Sequence, residues 1–206
     1  MFHSIDQNTD EWLEMRGGKV TGSAISKIMA NGDKAFGEPA KRLAVDIAIE
    51  QIKGAPILNN YSNDHMERGH EQEPIARALY EDEYFCSVDN GGFFDNGFTG
   101  CSPDGLVNTD GVVEIKSVIP SVQYKTIKRG AYDPSYRWQL VFNLKETGRD
   151  WIDYISFCAE FPVGNQLFIE RIQAESLGVE FDQIEKRLAE FFQLVEQVKS
   201  DVRLAA

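Results

Sequence analysis

Apolar positions along the chain follow two rhythms, one of about 3.6 residues and one of two, which alternate in blocks. Residues 9–30 read as two short helices. TDEWLEMR carries Trp12, Leu13 and Met15, Gly17 and Gly18 interrupt it, and TGSAISKIM resumes with Thr21 as a candidate N-cap. Residues 39–53 are amphipathic, with Pro39 near the start and Gly54 as the stop. Residues 62–83 keep a helical pattern, but Pro74 disfavours helical geometry at Glu73, so a kink or a fresh helix start is expected there. From 84 to 116 the rhythm shortens, and Asn-Gly, Pro-Asp-Gly and Asp-Gly steps separate small apolar runs, the mark of consecutive strands. Helices follow over 120–129 and 134–146, then strands in WIDYISFCAEF and NQLFIERIQ. A closing helix from about 178 to 203 puts Phe181, Ile184, Leu188, Phe191, Val195 and Val198 on one face. This order predicts an α/β (α+β) fold, a central mixed β-sheet flanked by helices, in a single domain over 1–206.

Composition narrows the classes of function. Hydrophobic residues make up 42% of the 206 positions, enough for a substantial core. No apolar run approaches the ~20 residues that span a bilayer, so no membrane partner is expected. The stretch MFHSIDQNTDEW has neither a basic nor an apolar leader region, so no signal peptide is expected. Cys86, Cys101 and Cys158 are odd in number and widely spaced, which reads as reduced thiols in a cytoplasmic protein. His3, His65 and His70 are too scattered for a histidine metal cage. A net charge of −12 argues against sequence-blind coating of nucleic acid, while leaving room for a local basic lining.

Candidate chemistry is concentrated in CSPDGLVNTDGVVEIKS, residues 101–117. In a strand Glu114 and Lys116 point the same way and Ile115 the other. A turn near Asn108–Gly111 would fold the chain back and set Asp104 beside Glu114. Two adjacent carboxylates repel unless a cation lies between them. A hard ion, Mg²⁺ or Mn²⁺, satisfies both, and the Ile115 carbonyl adds a third oxygen. Lys116 would then orient or help deprotonate the attacking water. The residues alone leave a second reading open, an exposed hairpin whose Glu114 and Lys116 form one same-face ion pair.

SPDGL (102–106) followed by EIK (114–116) resembles the core of the PD-(D/E)xK nucleases, with a restriction-endonuclease-like fold. More narrowly, the chain is similar to the lambda exonuclease group, the YqaJ-type viral recombinases. EWLEMRGGKVTGSAI (11–25) resembles that family's W-x₃-R-x-G…T-x-S segment, and RGHEQEPIA (68–76) its G-x-x-x-E-x-x-A helix. The matches run in order over residues 10 to 145.

The resemblance implies Asp104 and Glu114 as metal ligands with the Ile115 carbonyl, Lys116 as the water-positioning lysine, and Glu73 as the helix acid completing the site. Arg16, Ser23 and Ser102 match positions around phosphate, including a terminal 5′-phosphate. An ion pair of Arg16 with Glu11 or Glu14, and a plain helix cap at Ser23, are the readings these residues would otherwise receive. Gln139 matches the first position of a Q-x-Q helix whose second position here is Val141, and Met66 matches an apolar wedge between base pairs, where a core methionine is the ordinary alternative. Lys125, Lys128, Arg129 and Arg137 form a candidate DNA-tracking surface, or a merely solvated face.

The implied activity is a Mg²⁺-dependent 5′→3′ exonuclease acting on double-stranded DNA ends with a 5′-phosphate and leaving 3′ single-stranded tails for recombination. The same resemblance implies a homotrimer ring, a single-strand annealing recombinase as partner, and a bacterial or phage-encoded source. The rivals are a structure-selective or restriction-type endonuclease on the same core and a noncatalytic DNA-binding scaffold.

Overall fold

The computed structural model of the protein describes residues 1–57 and 64–204. Near the N-terminus, strand β1 (Phe2–His3) precedes helix α1 (Asp10–Arg16), strand β2 (Val20–Thr21) and helix α2 (Ile25–Met29). Helices α3 (Glu38–Lys53) and α4 (Asp64–Tyr84) follow. Five strands come next: β3 (Val88–Asn90), β4 (Phe93–Asp95), β5 (Thr99–Cys101), β6 (Gly105–Val107) and β7 (Gly111–Ser117). The chain closes through α5 (Pro120–Arg129), α6 (Arg137–Thr147), β8 (Trp151–Phe157), β9 (Leu167–Gln173) and α7 (Gly178–Leu204). The expected helices and strands are therefore present.

Three local expectations change. The strands divide into a small sheet, ordered β1-β4-β5-β2, and the central mixed sheet, ordered β3-β6-β7-β8-β9. Thr21 is not a helix cap: it pairs in parallel with Gly100 of β5, and α2 starts after Ala24. Helix α4 continues through Pro74 as one element, so no fresh helix starts there.

The central sheet carries apolar layers on both faces. Val112 and Ile152 face a core built with α2, α3, α6 and α7, which includes Ile25, Ile47, Leu140, Ile184 and Phe191. Val113 and Ile115 face a second core with Ala76 and Tyr80 of α4, Trp151 and Phe157. Burial on both sides explains why β7 reads GVVEIKS with hardly a polar alternation. One buried ionic link ties α4 to this sheet: Asp153 of β8 accepts from the Tyr80 hydroxyl at 2.7 Å and from Arg171 Nε and Nη2, each at 2.8 Å. A fully buried carboxylate persists only when satisfied in this way.

The hairpin β6–β7 pairs antiparallel, Gly105 opposite Val113 and Val107 opposite Gly111. Its turn puts Asn108 at φ 48°, a left-handed conformation that asparagine tolerates. Gly105 is required for a different reason. A Cβ there would lie 2.2 Å from Val88 Cγ1 and 2.9 Å from Val113 Cγ2. Gly105→Ala should therefore destabilise the fold by about 1–3 kcal/mol, the range for overpacking, read as a lowered thermal midpoint. An unchanged midpoint would mean that β3 and β7 part without cost.

Candidate active site

The site forms where β7 leaves the hairpin. The Asp104 amide donates to the Val113 carbonyl at 3.1 Å, and the Ile115 amide donates to Asp104 Oδ2 at 2.6 Å. Thus the side chain of Asp104 continues the ladder that its own strand has left. Glu114, 2% exposed, sits on the β7 face covered by α6. Its Oε1 accepts from Lys116 Nζ at 2.6 Å and from Gln139 Nε2 at 2.5 Å, and its Oε2 accepts from Asn143 Nδ2 at 2.8 Å. Gln139 and Asn143 are one helical turn apart on α6, so one face presents both amides to one carboxylate. The ring of Tyr136 lies 5.4 Å from Lys116 Nζ. The expected same-face pair of Glu114 and Lys116 is present, but within a cavity instead of on an open hairpin.

Two cavities meet at Asp104. The smaller, about 270 Å³, is lined by Trp12, Arg16, Ser23, Ser102, Glu114, Lys116, Gln139 and Asn143 as well as Asp104. The larger, about 650 Å³, is lined by His70, Glu73, Arg77, Asp104, Ile115 and Ser117, with Gln7 and Asn8 across from them.

Glu73 and Glu114 approach β7 from opposite faces. Glu73 is paired with Arg77 at 2.9 Å, and Arg77 Nη2 also donates to the Asp104 carbonyl at 2.6 Å. Among the described residues no three acids, histidines or cysteines group tightly enough for a metal, which follows from this two-sided arrangement.

The phosphate-matching residues assemble beside the smaller cavity. Trp12 Nε1 donates to Ser102 Oγ at 2.7 Å, and the Arg16 guanidinium stacks 4.0 Å above the Trp12 ring. Arg16 Nη2 donates to Thr21 Oγ1 at 3.4 Å, and Thr21 Oγ1 is 3.5 Å from Ser23 Oγ. Arg16 makes no ion pair with Glu11 or Glu14, and burial lowers its pKa to about 10. Ser23 is exposed, two residues ahead of a five-residue helix, and does not cap it. Met66 falls in α4, but its side chain lies outside the described residues. Val141 is buried in the core, so the position where the family has a second glutamine does not reach the cavity.

Electrostatics follow from crowding. Burial, then the Glu114 charge, pushes the Asp104 carboxyl well above the usual range, with Lys116 acting in the opposite sense. Burial alone would lower the Lys116 ammonium, but the Glu114 and Asp104 charges outweigh it and its pKa is raised. Two carboxylates on adjacent strands, with a backbone carbonyl between Glu114 and Lys116, are an all-oxygen donor set that fits a hard divalent cation. Such an ion would relieve the repulsion that raises Asp104.

Two contributors escaped the sequence reading, Asn143 and Arg77, while Trp12 was read there as part of the W-x₃-R segment without a role at the site. Asn143 carried one usable signal, its i+4 spacing from Gln139. Its Oδ1 is buried without a partner, and a Cβ on Gly22 would fall 2.1 Å from that atom.

A model of the YqaJ-like viral recombinase domain matches residues 11–150. Similar solved structures include LHK-Exo, an alkaline exonuclease from Laribacter hongkongensis. It is 31% identical, with a TM-score of 0.79 covering 96% of this chain and 100% of that one. LHK-Exo in complex with dAMP is matched at 32% identity and a TM-score of 0.80, with the same coverage. A phage related exonuclease from Haemophilus somnus 129PT, 18% identical with a TM-score of 0.64 over 89% of this chain and 96% of that one, shares the fold. No curated protein matches the chain. The PD-(D/E)xK core expected from the sequence is the fold observed.

Asn143→Leu keeps the side-chain shape while removing the donor to Glu114 and the unpartnered Oδ1. Affinity for Mn²⁺, titrated calorimetrically without DNA, should fall roughly ten- to hundredfold, the usual cost of losing a ligand's hydrogen-bond partner. The thermal midpoint should also fall, because the buried Glu114 Oε2 loses its donor, a cost that removal of the unpartnered Oδ1 offsets only in part. A fall in the midpoint with Mn²⁺ affinity intact would make Asn143 a packing residue only.

Proposed function

Because the chain belongs to the YqaJ-like viral recombinase domain family, we propose that it is a divalent-metal-dependent DNA exonuclease. It degrades one strand of linear duplex DNA 5′→3′ and leaves 3′ single-stranded tails for recombination. The observation that carries this reading is the hairpin register that gathers Asp104, Glu114 and Lys116 at one cavity, with Arg16, Ser23 and Ser102 on its other wall. The likeness to an alkaline exonuclease seen with dAMP, a deoxynucleoside monophosphate, supports it.

Asp104, Glu114 and the Ile115 carbonyl would hold Mg²⁺ or Mn²⁺, which when bound supplies Lewis acidity toward water and phosphate oxygen. Lys116 Nζ, fixed by Glu114, donates a hydrogen bond to the attacking water and positions it at the scissile phosphorus. Arg16 offers a planar two-pronged donor to the terminal 5′-phosphate, and stacking on Trp12 holds that plane in place. Ser23 and Ser102 add hydroxyl donors at the same wall. Glu73 acts from the larger cavity through its pair with Arg77, which grips the Asp104 backbone. Met66 is assigned to separating the first base pairs. A homotrimeric ring would turn the few cations inward around duplex DNA and leave the acidic surplus outside. A single-strand annealing recombinase would then take up the tail.

The deciding test is digestion of linear duplex carrying either a 5′-phosphate or a 5′-hydroxyl, in Mg²⁺ and in EDTA. Closed circles and the Lys116→Ala protein serve as controls. The expected result is Mg²⁺-dependent loss of the 5′-phosphorylated strand, circles intact, and a rate at least about a hundredfold lower in the variant. Nicked circles would replace the exonuclease by an endonuclease, and binding without cleavage in any metal would leave a scaffold.

A further inference from the structure

Helix α5 is built inside out. Its buried residues are polar: Gln123 is 0% and Thr126 1% exposed. Gln123 Nε2 donates to the Ser156 and Gln166 carbonyls at 3.3 and 3.0 Å, and its Oε1 accepts from Ser156 Oγ at 2.6 Å. Hydrogen bonds, rather than apolar burial, fasten this helix to β8 and the turn beyond it.

The outward face carries what an inner face normally would. Tyr124 is 59% and Ile127 41% exposed. Ser121, Tyr124, Lys125 and Lys128 follow i, i+3, i+4, i+7 spacing and so form one stripe. Neither lysine has a hydrogen bond or ion pair among the described residues, while Arg129 is engaged with Asp133 at 3.4 Å. The helix PSVQYKTIKR contains no acid, in a chain whose net charge is −12.

An exposed ring beside two unpaired ammonium groups suits one kind of polyanion best. A single strand offers base faces to stack on the ring and phosphates to lie by the lysines, whereas a duplex hides its bases. The helix also begins three residues after Ser117, which lines the larger cavity, so at most about 10 Å of chain separates them.

We propose that the outer face of α5 is a binding surface for single-stranded DNA, with Tyr124 as the stacking platform and Lys125 and Lys128 as phosphate contacts. It rests on the exonuclease reading only for the source of the strand, the one spared as its complement is removed.

The test uses a fluorescent circle of oligo-thymidine, which has no end for the cavity to take, titrated by anisotropy in EDTA with the full-length protein. Tyr124→Ala should weaken binding roughly ten- to hundredfold, and Tyr124→Phe should restore it, since the ring and not the hydroxyl does the stacking. The double variant Lys125→Gln/Lys128→Gln should flatten the slope of log affinity against log salt by about 1.4, the value for two single-strand phosphates. Unchanged affinity in Tyr124→Ala overturns the proposal. So does an equal loss for a closed duplex circle, or a change in assembly mass by light scattering in the Tyr124→Ala protein without DNA, which would make the face a contact between copies. Failure of the wild type to digest linear duplex, with circle binding intact, would remove the exonuclease reading and leave this surface standing.

Discussion

The hydrogen bond from the Ile115 amide to the Asp104 carboxylate holds the site together. Beyond Gly105 the ladder of β6 and β7 would normally end, yet the carboxylate of Asp104 takes the place of a backbone carbonyl and carries pairing one step further. That single contact fixes Asp104 against Glu114 and leaves the backbone around Ile115 ordered between them. A slip of one residue in β7 would turn Glu114 toward the apolar core under α4 and Ile115 toward α6, so burial on both faces guards the register. Arg77 adds a second restraint from α4, on the carbonyl of the same residue.

Much of the fold was legible in the sequence because its local signals agree with each other. Gly54 ends α3 at φ 66°, Gly130 ends α5 at φ 68°, and the turn residues between 90 and 111 punctuate the strands where expected. The hairpin was legible for the same reason: Pro103 and Gly105 bracket Asp104, and the Glu114-Ile115-Lys116 run lies in an apolar strand. What stayed hidden depends on contacts between distant segments. Nothing local marks Thr21 as a strand residue, since its partner Gly100 is 79 positions away by subtraction of the residue numbers. Asn143 looks like an ordinary polar residue of α6 until β7 delivers Glu114 to it. Helix α5 was legible as a helix but not in its orientation, because its buried residues are glutamine and threonine, which periodicity counts as outward. Among the described residues, Gln123 alone supplies the side-chain hydrogen bonds that hold that side.

The two walls of the smaller cavity come from different parts of the chain and obey different physics. One wall, the hairpin and α6, gathers negative charge and neutral amides around Glu114. The other, α1 and the turn after β2, brings a half-buried guanidinium held flat by an aromatic ring. Opposite charge across a small space favours a ligand that is anionic at one end and reacts at the other, and it repels an anion from the carboxylate wall unless a cation lies there. An acidic protein can therefore handle a polyanion: its net charge of −12 is an average over surface that the substrate need not touch.

The contact between Gly22 and Asn143 reaches beyond geometry. Glycine at 22 leaves room for the Asn143 amide, and that amide is spent on Glu114. These two positions, 121 residues apart by subtraction of their numbers, are therefore coupled through space. A side chain at 22 would run into the Asn143 amide, so the passable order of change is Asn143 first and Gly22 second, and the combination that fails is an enlarged 22 beside Asn143.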